Sequence, residues 1–95
     1  MAAIGVLTLE LRIDHAHSLK DKRQVVRSLV ERLRGRFNVS VAEVGYQELW
    51  QRALLAAVTV ASARVPAESV LQRVEREAAE QVGGMLVSAG IEWIE

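Results

Sequence analysis

Apolar positions in this chain follow two periods, which take turns along it. From Ala3 to Ile13 the period is two: Gly5, Leu7, Leu9, Leu11 and Ile13 fall on one side, and Ile4, Val6, Thr8, Glu10 and Arg12 on the other. That alternation predicts a strand with one dry face and one mixed face. At Ser18 the period changes to 3.6, with Leu19, Val26, Leu29, Val30, Leu33 and Phe37 forming an apolar stripe. Ser18 is a good N-cap, Asp21 sits three positions on as in a capping box, and Gly35 is the expected stop. Asn38–Val44 is valine-rich and predicts a second strand. Gly45–Gln51 is polar and aromatic and reads as a connection. Arg52–Ser62 is apolar enough for a central strand; its alanines also permit helix, but a hairpin from the second strand is the short route. Pro66 marks the first turn of a second helix, whose buried stripe is Val70, Leu71, Val74, Ala78 and Val82 and which Gly83-Gly84 ends. Met85–Ile94 predicts a last strand with Val87, Ala89, Ile91 and Trp93 on one side. Gly90 weakens that strand or marks a bulge.

The order β-α-β-β-α-β is the ferredoxin-like, split β-α-β arrangement of an α+β domain. It has a four-stranded antiparallel sheet with both helices on one face. One such domain spans residues 1–95. The dry side of the first strand must face the helices. The other face has no cover in a monomer, and Ile4, Val6, Val44, Val58 and Val60 are expected to line it. An uncovered apolar face on so small a domain predicts self-association, most simply a homodimer.

Composition changes this picture little. There is no cysteine, so disulfides, thiolate nucleophiles and Cys-based zinc sites are excluded, and a reducing cytoplasm fits. No apolar run approaches a bilayer span, and MAAIGVLTLELRI lacks the basic start of a signal peptide, so a cytoplasmic protein without membrane contact is expected.

Charge changes it more. The chain carries 12 basic and 12 acidic side chains, yet seven of the basic ones lie between His17 and Arg36 against only two acids. Lys20, Arg27 and Arg34 are spaced by seven and fall near one line of the helix; Arg23 joins them, and Glu31 interrupts the row. Lys22, Arg32 and Arg36 flank the apolar stripe. Such a row can track phosphates through counterion release. The competing reading is a solvated face neutralised by Glu68, Glu75, Glu77 and Glu80 of the second helix.

Other constellations are weaker. Tyr46, Gln47, Trp50 and Arg52 concentrate hydrogen-bonding and anchor side chains in one connection, either as a docking loop or as a tryptophan capping the core edge. His15 and His17 lack a third ligand, so no metal is expected. No aromatic platform for stacking bases lies on neighbouring central strands, so RNA contact would fall to the helix. The segment after the first strand, Asp14–Ser18, lacks the glycine of a phosphate-binding loop, and no nucleophile elbow or metalloprotease motif occurs. Neither enzyme activity nor a cofactor is expected.

Two blocks carry a resemblance. HSLKDKR (His17–Arg23) and RFNVSVAEVGYQELWQRA (Arg36–Ala53), at this separation, resemble the small bacterial YlxP-like proteins, a family of unknown function. The likeness runs from Gly5 through Ala53 and more loosely to Glu92-Trp93, while Gly83–Ser88 departs from the pattern. It implies the ferredoxin-like fold. It also implies a place near the ribosome, because the family's genes often neighbour those for translation initiation and ribosome maturation. No catalytic residue or ligand carries over. Two functions follow as expectations. The first is an accessory factor that binds ribosomal RNA or a ribosomal subunit through Lys20, Lys22, Arg23, Arg27 and Arg34. The second is a dimeric interaction or regulatory module that uses the open sheet face and the Trp50 loop, with Tyr46, Gln47, Trp50 and Arg52, to bind a protein or small ligand.

Overall fold

A computed structural model describes residues 1–94. Strand β1 (Ala3–Arg12) is one of the two inner strands, and its alternation gives it one buried face. It pairs antiparallel with β3 (Arg52–Ala61) on one side and β4 (Leu86–Ile94) on the other, and β2 (Ser40–Gly45) pairs with the outer side of β3. The sheet order is β2-β3-β1-β4. Helices α1 (Leu19–Arg36) and α2 (Arg64–Val82) make the crossovers. The fold is therefore ferredoxin-like α+β.

The core lies between the sheet and the helices. Leu7, Leu9 and Leu11 of β1 and Leu55 of β3 are fully buried against Leu29 and Leu33 of α1 and Leu71 and Val74 of α2. Gly5 occupies the same face, and a Cβ there would stand 2.7 Å from Leu71 Cδ1 and 2.9 Å from a Trp93 ring carbon. Gly5→Ala is therefore expected to lower stability by about 1–3 kcal/mol, the usual range for overpacking. Urea unfolding checks this, and an unchanged midpoint would show that Leu71 and Trp93 both shift freely.

Four details depart from the expected pattern. Helix α1 runs through Gly35 to Arg36, and the Phe37 N–H still donates to the Leu33 carbonyl at 3.0 Å, so glycine is tolerated within the last turn. Strand β2 starts at Ser40, two residues late. Val87 does not join Ala89, Ile91 and Trp93. The β1–β4 register slips between Glu10 and Leu11, so Leu86 turns to the core while Val87 is exposed. That bulge lies at Val87, opposite the Glu10–Leu11 step, and not at Gly90, which pairs regularly with Thr8.

The face away from the helices is open. Ile4 pairs with Val60 and Ile94, and Val6 with Val58, which gathers five branched apolar side chains at one end of it. Val60 and Ile94 remain more than half exposed. At the other end lie Glu10, Arg12 and Arg52, the first of them opposite Leu54. Val44 sits at a bulge in β2 and is exposed.

Candidate functional site

The β1–α1 turn is held by a reciprocal pair of hydrogen bonds. Ser18 Oγ accepts the Asp21 N–H at 3.0 Å, and the Asp21 carboxylate accepts the His17 N–H at 2.9 Å. This reciprocal cap sets the phase of α1 and places Lys22 on its buried side, 1% exposed. The Lys22 ammonium donates to the carbonyls of Tyr46 (2.8 Å), Gln47 (3.2 Å) and Arg52 (3.3 Å). Those three bonds use all three of its hydrogens. Glu43 Oε2 lies 2.8 Å from Nζ as well and forms an ion pair with it. Glu43 faces inward because it pairs with Leu55, whose side chain is in the core.

Lys22 is accordingly not a phosphate contact. Its charge is enclosed by protein acceptors, and the expectation that placed it on the flank of the stripe is corrected. It stands four residues before Val26 and seven before Leu29, on the stripe's own period, which was the available signal. Its function is to hold the β2–β3 connection.

That connection is tied down at several points. Tyr46 has φ +58°, which costs a non-glycine residue about 1 kcal/mol or more. Its carbonyl accepts from both Lys22 and the Leu49 N–H (3.0 Å). Gln51 donates its side-chain amide to the carbonyls of Asp14 (3.0 Å) and Ala16 (3.1 Å). The Arg52 guanidinium bonds Glu10 at 2.6 Å and the Tyr46 hydroxyl at 3.0 Å, and lies 4.0 Å from the Tyr46 ring centroid. The hydrogen bond that Arg52 donates to Glu10 raises the Arg52 pKa above its ordinary value. Of the four side chains singled out in this loop, Tyr46 and Arg52 engage each other. Gln47 turns back to the Glu43 carbonyl (3.4 Å), and Trp50 is left 52% exposed beside exposed Leu49. Trp50 therefore does not cap the core edge. It borders a cleft of about 640 Å³ with Glu10, Arg12, Asp14 and Arg52.

The remaining basic residues of α1 stay on the surface. Lys20, Arg23, Arg27 and Arg34 are exposed, and among the described residues none has a carboxylate within 4.0 Å. At 3.6 residues per turn they fall within about 60° of arc, on the side of α1 turned away from α2. Lys20, Arg23 and Arg27 edge a shallow depression of about 500 Å³ with Gln24, Ser28 and Glu31. The acids of α2 do reach α1, but elsewhere. Glu77 takes Arg32 and Arg36, while Glu68 accepts from Gln72 on its own helix.

The Arg32 hydrogen bond, with Arg36 behind it, lowers the Glu77 pKa below its ordinary 4.5. A lowered folded-state pKa stabilises above the unfolded value and is lost as pH falls through the folded one. Glu77→Gln is therefore expected to cost a small amount of stability at neutral pH, because both arginines are about half exposed. The difference from the parent protein should vanish below the carboxylate range. A constant difference across an acid titration of the unfolding midpoint would refute that origin. Arg73 and Arg76 of α2, three residues apart, add positive charge beside Arg36 and Phe37. Their spacing was legible as one helix face, but they lie outside the segment in which charge is concentrated.

The two sequence blocks meet at Lys22, whose ammonium in the first binds three carbonyls of the second. Residues 4–90 match the family described as protein of unknown function (DUF503). The chain belongs to that family. It is 45% identical over 71 residues to the uncharacterized protein YlxP of Bacillus subtilis (strain 168), covering 75% of this chain and 77% of that protein. The resemblance drawn from the two blocks is thus borne out, and DUF503 supplies no activity with it. Among solved structures, the de novo designed protein Foldit4 superposes with TM-score 0.60 at 9% identity, over 100% of this chain and 98% of that one. A dinuclear metal-binding peptidase of the M20 family from Bacillus subtilis superposes with TM-score 0.60 at 11% identity. That match covers 99% of this DUF503 chain and 26% of the peptidase. At such identities the likeness is one of fold alone.

Proposed function

We propose that this protein is a cytoplasmic, non-enzymatic accessory factor that binds the phosphate backbone of RNA, ribosomal RNA in particular, through α1. One observation carries the reading: among the described residues Lys20, Arg23, Arg27 and Arg34 have no ion-pair partner, while the neighbouring Arg32 and Arg36 are taken by Glu77. Cations on one helix face with no protein partner are available to displace counterions from phosphates. The placement of the family's genes near those for translation and ribosome maturation supports a ribosomal partner. The test is salt-titrated binding of the whole chain to ribosomal RNA and ribosomal subunits. Binding that is absent at low salt would remove the reading.

A second reading, that of an interaction module, is favoured by the Trp50 loop. A buried ammonium and a positive-φ tyrosine fix a loop whose apolar tip, Leu49 and Trp50, stays exposed. In either reading the protein works as a homodimer. Support for that comes from its small core and from the apolar side chains of the open sheet face, half-buried Ile4 and Val58 and exposed Val60 and Ile94.

A further inference from the structure

The two edges of the sheet differ. The β2 edge is six residues long, bulges at Val44 and turns a charged residue, Glu43, inward. These are devices that blunt an edge against further pairing. The β4 edge has nine residues, Leu86–Ile94, and contains no lysine, arginine or proline. Its register with β1 is unbroken from Ser88 to Ile94. Among the described residues its outer backbone groups have no partner. Its helix-side Ala89 is exposed, so α2 does not cover the strand fully.

The sequence of β4 is also complementary to itself. In an antiparallel pairing that keeps both helix layers on one side, each residue must meet one of its own face. Centring the pair on Gly90 does this from Ser88 to Glu92, up to the bulge at Val87. Ser88 of one copy then meets Glu92 of the other, a hydroxyl donor against a carboxylate, and Ala89 meets Ile91. Centring on Glu92 would oppose two carboxylates. An added Cβ at Gly90 meets nothing within 4 Å in the monomer, so the monomer itself makes no demand for glycine there. Glycine within a strand often marks close approach by another backbone.

We infer that two copies of this chain pair through β4, antiparallel about Gly90, and form one continuous eight-stranded sheet. This rests on the homodimer reading above and names its interface; it is independent of RNA binding.

Sedimentation equilibrium of the whole chain, from micromolar to millimolar concentration, tests it with two variants. Ser88 faces Glu10 within its own chain and lies about 13 Å from Glu92 along the strand. Ser88→Lys is thus compatible with the monomer and adds two opposite-charge pairs across the interface. It should tighten the dimer by roughly twofold to thirtyfold. Ser88→Lys/Glu92→Lys opposes like charges at both sites and should leave monomer, with circular dichroism of the fold retained. A dimer weakened by Ser88→Lys would overturn edge pairing and point to contact through the open face. A parent protein that stays monomeric throughout would overturn the homodimer reading as well, leaving the β4 edge to a strand of another protein.

Discussion

Lys22→Met is expected to lower the unfolding free energy by about 3–5 kcal/mol, the range for removing one member of a buried ion pair. Methionine fills the space of the lysine stem but offers no donor. Three carbonyls then lose their common partner, and the Glu43 carboxylate is left facing the core with no opposite charge. Glu43 keeps 21% of its side chain in solvent, which moves the expected loss toward the lower end of the range. The cost should be concentrated in the β2–β3 connection. Amide exchange at residues 46–51 should accelerate more than exchange in β1, because Tyr46 holds its positive φ only while its surroundings over-determine it. Removing both charges, in Lys22→Met/Glu43→Gln, should return part of the loss. Set against the effect of Glu43→Gln alone, that return gives the coupling between the two groups. Urea unfolding with linear extrapolation reads the parent protein and the three variants. A loss under about 1 kcal/mol in the single variant would mean that water replaces the ammonium, and that the loop does not depend on it.

Lys20→Glu/Arg27→Glu is expected to abolish binding to ribosomal RNA while leaving the thermal midpoint nearly unchanged, because both side chains are exposed and, among the described residues, have no ion-pair partner. Four phosphate contacts give a slope of log affinity against log salt between about −2.8 for single strands and −3.6 for a duplex. A fourfold rise in salt should therefore weaken the parent protein about 50- to 150-fold. The neutral variants Lys20→Ala and Arg34→Ala should each flatten the slope by about one. Lys22 lies outside this set, and variants there should change affinity only as far as they disturb the fold. Salt-independent binding, or full binding by the double reversal, would rule out the phosphate row and return attention to the cleft beside Trp50.

Much of the architecture was legible because burial here has regular periods. The alternation of β1, the Ser18 cap and the stripe of α2 needed only spacing. What escaped was aperiodic or depended on contacts distant in sequence. A bulge inserts one residue, and nothing in Leu86-Val87-Ser88 marks which of them turns outward. Gly35 resembles a helix stop, but glycine in the last turn is merely less favourable than alanine. Lys22 was the main loss at the site. A lysine on a basic helix reads as one more surface cation, although its position on the 22, 26, 29, 33 stripe placed it inside. The partners that neutralise it lie more than twenty residues away in the chain.

The unlike edges of the sheet bear on how far assembly can proceed. Growth into a ribbon requires every subunit to offer two receptive sides, one for the neighbour before it and one for the neighbour after. With β2 short, bulged and charged, this subunit offers one. A contact that uses the same surface on both copies closes on itself. The chain can associate by its strands and still be protected from fibre formation, with that limit set by where Glu43 and Val44 fall in a six-residue strand.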